Sequence, residues 1–153
     1  MSVFQFRPGR SIKGLNPQKV GEELELIRQQ NNGIITAEIV LENAKDESSP
    51  LNQAFTWDDS EAAHAHRLNE ARKLIISIQV FSPIVAKPVP TFVNVRTPDR
   101  GRGYTSTIET MSDNDLRQRV LLEIQQALES IQRKYASFAE IGEILSRVKQ
   151  AAS

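Results

Sequence analysis

The densest run of reactive side chains in this sequence is cationic. Arg96, Arg100 and Arg102 crowd one short stretch, with Lys87 before it and Tyr104 after it, and Asp99 is the only acid inside it. Guanidinium groups present planar forks of N–H donors that match phosphate oxygens. The chemistry this stretch suggests is therefore anion recognition, with the backbone of a nucleic acid as the polyanion. The same residues also read as a solvated, charged turn. A second basic group, Arg7, Arg10 and Lys13, lies in residues 1–15, which carry no acid. It reads either as a flexible terminus or as an arm that folds on a partner.

Other reactive residues form no recognisable constellation. His64 and His66 are two apart, roughly 200° around a helix, and cannot share one metal ion. His64 falls on an apolar stripe and reads as a core histidine. Asp58, Asp59 and Glu61 stand where a helix begins, so capping and the helix dipole account for them. There is no GxxxxGK[ST], no GxGxxG between a strand and a helix, no GxSxG and no cysteine. The expectation is no catalytic residue, no metal, no cofactor and no enzyme activity.

Composition sets the frame. Of 153 residues, 39% are apolar and 25% charged, an ordinary globular balance. The 19 bases and 19 acids cancel, which argues against indiscriminate nucleic-acid binding but leaves room for a local basic patch. Without cysteine there is no disulfide, which fits a reducing compartment. No run approaches the roughly 18 apolar residues of a membrane span, and residues 1–15 lack the apolar run of a signal peptide. No membrane partner is expected.

The elements that would position these groups follow from spacing. Asn16-Pro17 caps and starts a helix through Val20, Leu24 and Ile27, which Asn32-Gly33 ends. Thr36 caps a shorter helix through Ile39, Val40 and Ala44. The pair resembles a helix-turn-helix, but Glu38 and Glu42 make the second helix acidic and ill suited to DNA. After a loop over 46–56, an Asp58–Glu61 capping box opens a third helix, with Trp57 stapled onto Ala62. Its stripe is His64, Leu68, Ala71, Ile75 and Ile78, and it passes into a strand near residue 76. Pro83, Pro88 and Pro90 exclude a central strand. Residues 91–96 alternate and pair with Tyr104–Ile108 as a hairpin with a basic tip.

A Ser112–Asp115 box opens the last region. Leu121, Ile124, Leu128, Ile131, Tyr135, Phe138, Leu145 and Val148 follow a three-four spacing over about four heptads, like a coiled-coil seam. Exposed, that seam would be a large apolar patch, so these eight residues are expected to form a packing or oligomer interface. Gly142 or Tyr135-Ala136-Ser137 would break it into a hairpin. One long helix and two remain open readings.

One pattern resembles a known family. Ser49-Pro50-Leu51-x-x-x-Phe55-x-Trp57-Asp58-Asp59, then Ala62-Ala63, then Arg67-Leu68-x-x-Ala71-Arg72-x-Leu74-Ile75, resembles uncharacterised small proteins encoded by bacteriophages and prophages. The resemblance extends to Gly103-Tyr104 and to Tyr135 in a helical tail, and covers most of residues 17–150. It implies a phage setting, in the host cytoplasm or the virion, and no activity. Members often carry His after Ser-Pro-Leu; this chain has Asn52.

The sequence thus predicts a mostly helical α+β fold. Residues 1–15 are a flexible basic arm and 16–153 one domain: 16–81 helical, 82–110 extended with a β-hairpin, 111–153 helical. The expected role is a non-enzymatic, nucleic-acid-associated homo-oligomer touching phosphate through Arg96, Arg100, Arg102, Arg7, Arg10 and Lys13. The alternatives are a virion or assembly component and an inhibitor of a host protein, with a phage or host protein as partner.

Overall fold

The computed structural model describes residues 2–57, 62–97 and 101–153. They form a mostly helical α+β structure in two compact units, Met1–Ile108 and Glu109–Ser153.

The first unit is built around α1 (Pro17–Gln30), α2 (Ala37–Ala44) and α3 (Ala63–Ser77). Asn16 caps α1 by accepting from the Lys19 amide at 3.1 Å, with Pro17 in the first turn. Val20, Leu24 and Ile27 bury its inner face. The helix ends as its residues dictate: Asn32 and Gly33 take φ of 58° and 83°, where glycine is free of a Cβ penalty. The Arg28 guanidinium, almost wholly buried, donates to Glu25 at 2.7 and 2.9 Å and to the Gly33 carbonyl at 3.3 Å, clasping this turn. Thr36 caps α2 through the Ile39 amide at 3.3 Å.

The Asp58–Glu61 capping box lies outside the described residues. The described contacts of Trp57 lie elsewhere than at Ala62. Its ring packs on Phe55, 5.5 Å between centroids, beneath the Arg67 guanidinium at 5.2 Å, and its indole N–H donates to the Asn52 carbonyl. An indole N–H seeks an acceptor when its ring packs, and the loop carbonyl of Asn52 supplies it. Asn52 in turn donates to the Ala44 carbonyl at 2.9 Å, closing the end of α2. Glu70 accepts from the Thr56 amide and hydroxyl at 3.0 and 2.9 Å. Phe55, Trp57 and Arg67, with Asn52, Thr56 and Glu70, thus clasp the loop before residue 57 onto α2 and α3.

The expected α3 stripe is buried at Ala71, Ile75 and Ile78 and half-buried at Leu68, with Ala63 and Leu74 joining it. His64 is exposed, not a core histidine. After Ser77 the chain passes directly into strand β2 (Ile78–Ser82), as its β-branched residues suggest.

β2 is the centre of an antiparallel sheet ordered β1-β2-β3. β3 (Lys87–Pro90) is an edge strand, where Pro88 and Pro90 need no ladder partner on their outer side. β1 is Phe4–Phe6, so residues 1–15 are not wholly an arm. Phe4 pairs with Val80 and is buried, its amide donates to Gln18 Oε1 at 2.9 Å, and the Arg7 amide donates to the Ser77 carbonyl at 2.7 Å. Burying a phenylalanine contributes about 1.5–3 kcal/mol, enough to hold a three-residue strand.

β4 (Phe92–Thr97) and β5 (Gly101–Ser106) form the expected hairpin as a separate ribbon. The short α4 (Thr107–Ser112) follows at once, so β5 ends earlier than expected.

The second unit contains α5 (Asn114–Lys134) and α6 (Ala139–Ala152). The cap of α5 is Asp113, not Ser112: it accepts from the Leu116 amide at 2.9 Å. The break falls at Tyr135-Ala136-Ser137, where Tyr135 and Phe138 meet edge to face at 6.4 Å. The helices pack antiparallel, with Lys149 reaching Glu129 at 3.5 Å and Gly142 beside Gln132. Gly142 sits inside α6 and breaks nothing.

Candidate functional site

The site begins with register. In the β4–β5 ladder Asn94 stands opposite Tyr104, Val95 opposite Gly103, and Arg96 opposite Arg102. Paired residues of an antiparallel ribbon project to the same face, so Asn94, Arg96, Arg102 and Tyr104 share one side. Like charges directly opposite destabilise a ladder. Two exposed arginines kept in that relation make a doubly cationic tip. Arg102 donates from Nη1 to Asn94 Oδ1 at 2.8 Å, which fixes the amide and leaves its NH2 as donor. Arg100 and Asp99 lie outside the described residues.

The ribbon is anchored by backbone. The Ile35 amide donates to the Tyr104 carbonyl and the Tyr104 amide to the Ile35 carbonyl, each at 2.8 Å. The Thr105 hydroxyl donates to the Gly33 carbonyl at 2.9 Å. At Gly103 the ribbon closely approaches the turn after α1: a Cβ there would overlap Ile34 Cγ2. The turn ending α1 therefore carries the ribbon against the start of α2.

That junction opens a cleft of about 280 Å³, whose polar lining is Thr36, Glu38, Arg72, Asn94, Arg102 and Tyr104. Arg72 comes from α3, where its Nη1 donates to Asn69 Oδ1 at 2.9 Å. Sequence reasoning found the arginines of the ribbon but not Arg72 or Glu38, which reach the site only through tertiary packing. Glu38, weighed there only as a residue that repels phosphate, lines the same cleft as Arg72 and Arg102. The ladder arithmetic that aligns Asn94 with Tyr104 was the available signal.

The N-terminal cations are placed differently. Arg7 donates through Nη1 to the Ile76 carbonyl at 3.2 Å, and so serves the junction of β1 with α3. Arg10 and Lys13 are exposed on the following turns.

The expected interface residues divide between two helices. Leu145 is buried; Leu121, Leu128 and Val148 are half-buried; Ile124, Ile131, Tyr135 and Phe138 are exposed, Phe138 by 60%. Leu122 and Ile144 are exposed as well, and α5 has no fully buried residue.

Two carboxylates have shifted titration. Asp46 is held below the usual carboxylate range by hydrogen bonds from the Ser48 hydroxyl and amide, at 2.7 and 2.9 Å. Glu129 is lowered chiefly by the Gln125 amide, with Lys149 adding to it. Asp46 is exposed and does not line the cleft; Glu129 is half-buried on α5. Among the described residues no group of three or more His, Asp or Glu is placed to hold a metal ion, and no helix is long and apolar enough to cross a membrane. His66 meets Glu70 at 3.2 Å.

No family model, no curated protein and no solved structure matches the chain.

Proposed function

We propose that the protein is a non-enzymatic, oligomeric nucleic-acid-binding protein, with phosphate contacts on the β4–β5 ribbon and self-association through α5 and α6. The observation that carries this reading is the cross-strand pairing of Arg96 with Arg102 on the face that also holds Asn94 and Tyr104. A ribbon protruding two guanidiniums can lie along a phosphate backbone. The phage setting follows from the Ser-Pro-Leu…Trp-Asp-Asp resemblance. The test is fluorescence anisotropy or a mobility shift with short DNA and RNA at about 50 mM salt, where phosphate contacts are strongest. Arg96→Ala with Arg102→Ala abolishes the shift. Wild-type protein that binds neither nucleic acid at that salt refutes the proposal.

A second reading, a virion or assembly component, is favoured by the exposed apolar side chains of the second unit, which suit protein contacts. It predicts many copies per purified particle.

A further inference from the structure

The cleft beside the ribbon contains more than phosphate recognition requires. A phosphate asks only for cations and N–H donors, and a carboxylate near it is repulsive. Here the Glu38 carboxylate shares the cleft with Arg72, Arg102, the Asn94 amide and the Tyr104 ring. The ligand that uses all of these is a nucleotide whose base has left its stack. Tyr104 offers a flat face for the base. Asn94, its Oδ1 occupied by Arg102, turns N–H donors toward ring nitrogens or carbonyls. Glu38 accepts from an exocyclic amine, as carboxylates do from cytosine. Arg72 and Arg102 meet the flanking phosphates. A volume of about 280 Å³ is at the small end for ligand sites and suits one base.

We infer that the protein binds single-stranded nucleic acid with one amine-bearing base, cytosine or adenine, seated in this cleft. The inference rests on the proposed nucleic-acid role and narrows it. In duplex DNA the base is stacked and paired, so the cleft stays unused and only the ribbon arginines engage.

The experiment compares anisotropy-measured affinities of the full chain for oligo(dC), oligo(dA), oligo(dT) and a duplex of equal length, at about 50 mM salt. The expected order places oligo(dC) or oligo(dA) at least about five-fold tighter than oligo(dT) and the duplex, the lower end of one good base contact. Glu38→Ala, an exposed position, erases that preference by bringing oligo(dC) and oligo(dA) to the affinity the same variant shows for oligo(dT), and circular dichroism verifies its fold. Tyr104→Leu weakens the single strands by about five-fold or more and the duplex little. Equal affinity for all four oligomers, with Glu38→Ala strengthening each alike, overturns the base-binding cleft and leaves the phosphate-binding ribbon standing. Binding to none of them overturns both.

Discussion

The Phe4 ring occupies the space where a side chain on residue 21 would stand. A Cβ built on Gly21 overlaps the ring, although Gly21 lies in the middle of α1. Glycine there costs about 1 kcal/mol in helix propensity relative to alanine. The docking of β1 offsets that cost. Gly21→Ala should therefore destabilise the protein by about 1–3 kcal/mol, against the sign that propensity alone gives. Phe4→Ala should cost about 3–5 kcal/mol. The double variant should lose less than the sum, because the two changes relieve the same overlap. Urea unfolding followed by Trp57 fluorescence measures all three. A Gly21→Ala protein more stable than wild type would mean that β1 does not dock.

Gly142 gives the contrasting case. Its added Cβ would meet only Gln132 Nε2, at an ordinary 3.6 Å. Gly142→Ala should stabilise the second unit by about 0.5–1 kcal/mol, read as a higher thermal midpoint of the helical signal.

The ribbon stands on the turn after α1, so its anchors should affect binding without touching a ligand. Thr105 is buried, and its hydroxyl satisfies the Gly33 carbonyl. Thr105→Val removes that donor, leaves Arg28 as the carbonyl's other partner, and should cost about 0.5–1.5 kcal/mol, the net worth of one hydrogen bond. Gly103→Ala forces Ile34 aside and should weaken nucleic-acid binding as well as stability. Chemical-shift perturbation confined to residues near Ile34 and Tyr104, with α5 unmoved, is the expected signature.

What could be read in the chain was local. Asn16-Pro17, Thr36 and Asn32-Gly33 carry their instructions in their own side chains, and each acts as those residues imply. The passage of α3 into β2 was legible in the β-branched run. β1 was not, because Phe4-Gln5-Phe6 is too short to declare itself and its partner is β2, far along the chain. The α3 stripe holds at Leu68, Ala71, Ile75 and Ile78 and fails only at His64, its first member, which is exposed. The break at Tyr135-Ala136-Ser137 contains neither Gly nor Pro, the usual punctuation, whereas Gly142 is merely a helix residue. In the candidate site, Arg96 and Arg102 were visible by composition. Arg72 and Glu38 depend on how three helices meet the ribbon, which no local spacing encodes.

Acid sensitivity should show at Asp46. Its folded-state acidity is depressed by the Ser48 hydroxyl and amide. A depressed carboxylate contributes stability that is fully present above the ordinary Asp range and is lost as pH falls through its own lower value. Ser48→Ala removes the larger cause. By NMR titration the Asp46 midpoint should rise toward the ordinary range in that variant, and the acid limb of the thermal midpoint should flatten. An unchanged midpoint would exclude the Ser48 hydroxyl as the cause.

The second unit tests the oligomeric half of the proposed function. α5 leaves Leu122, Ile124 and Ile131 exposed, α6 leaves Ile144, and the turn leaves Tyr135 and Phe138. In two amphipathic helices whose one buried large apolar side chain is Leu145, these exposed side chains form an apolar surface that a partner could cover. A second copy is a suitable cover: residues 109–153 carry six bases and seven acids, so copies meet without strong net repulsion. Two helical hairpins joined by their apolar faces make a four-helix bundle. Light scattering should give a molar mass at least twice that of the chain. Ile131→Glu should return it to the single-chain value while helical circular dichroism persists, because residue 131 is exposed in the isolated hairpin and its charge is costly only when a partner covers it. Leu145→Ala should behave differently, lowering helical stability by about 2–5 kcal/mol whatever the oligomeric state. A wild-type chain that scatters as a monomer at high concentration would leave the apolar face without a second copy and remove self-association from the proposed function.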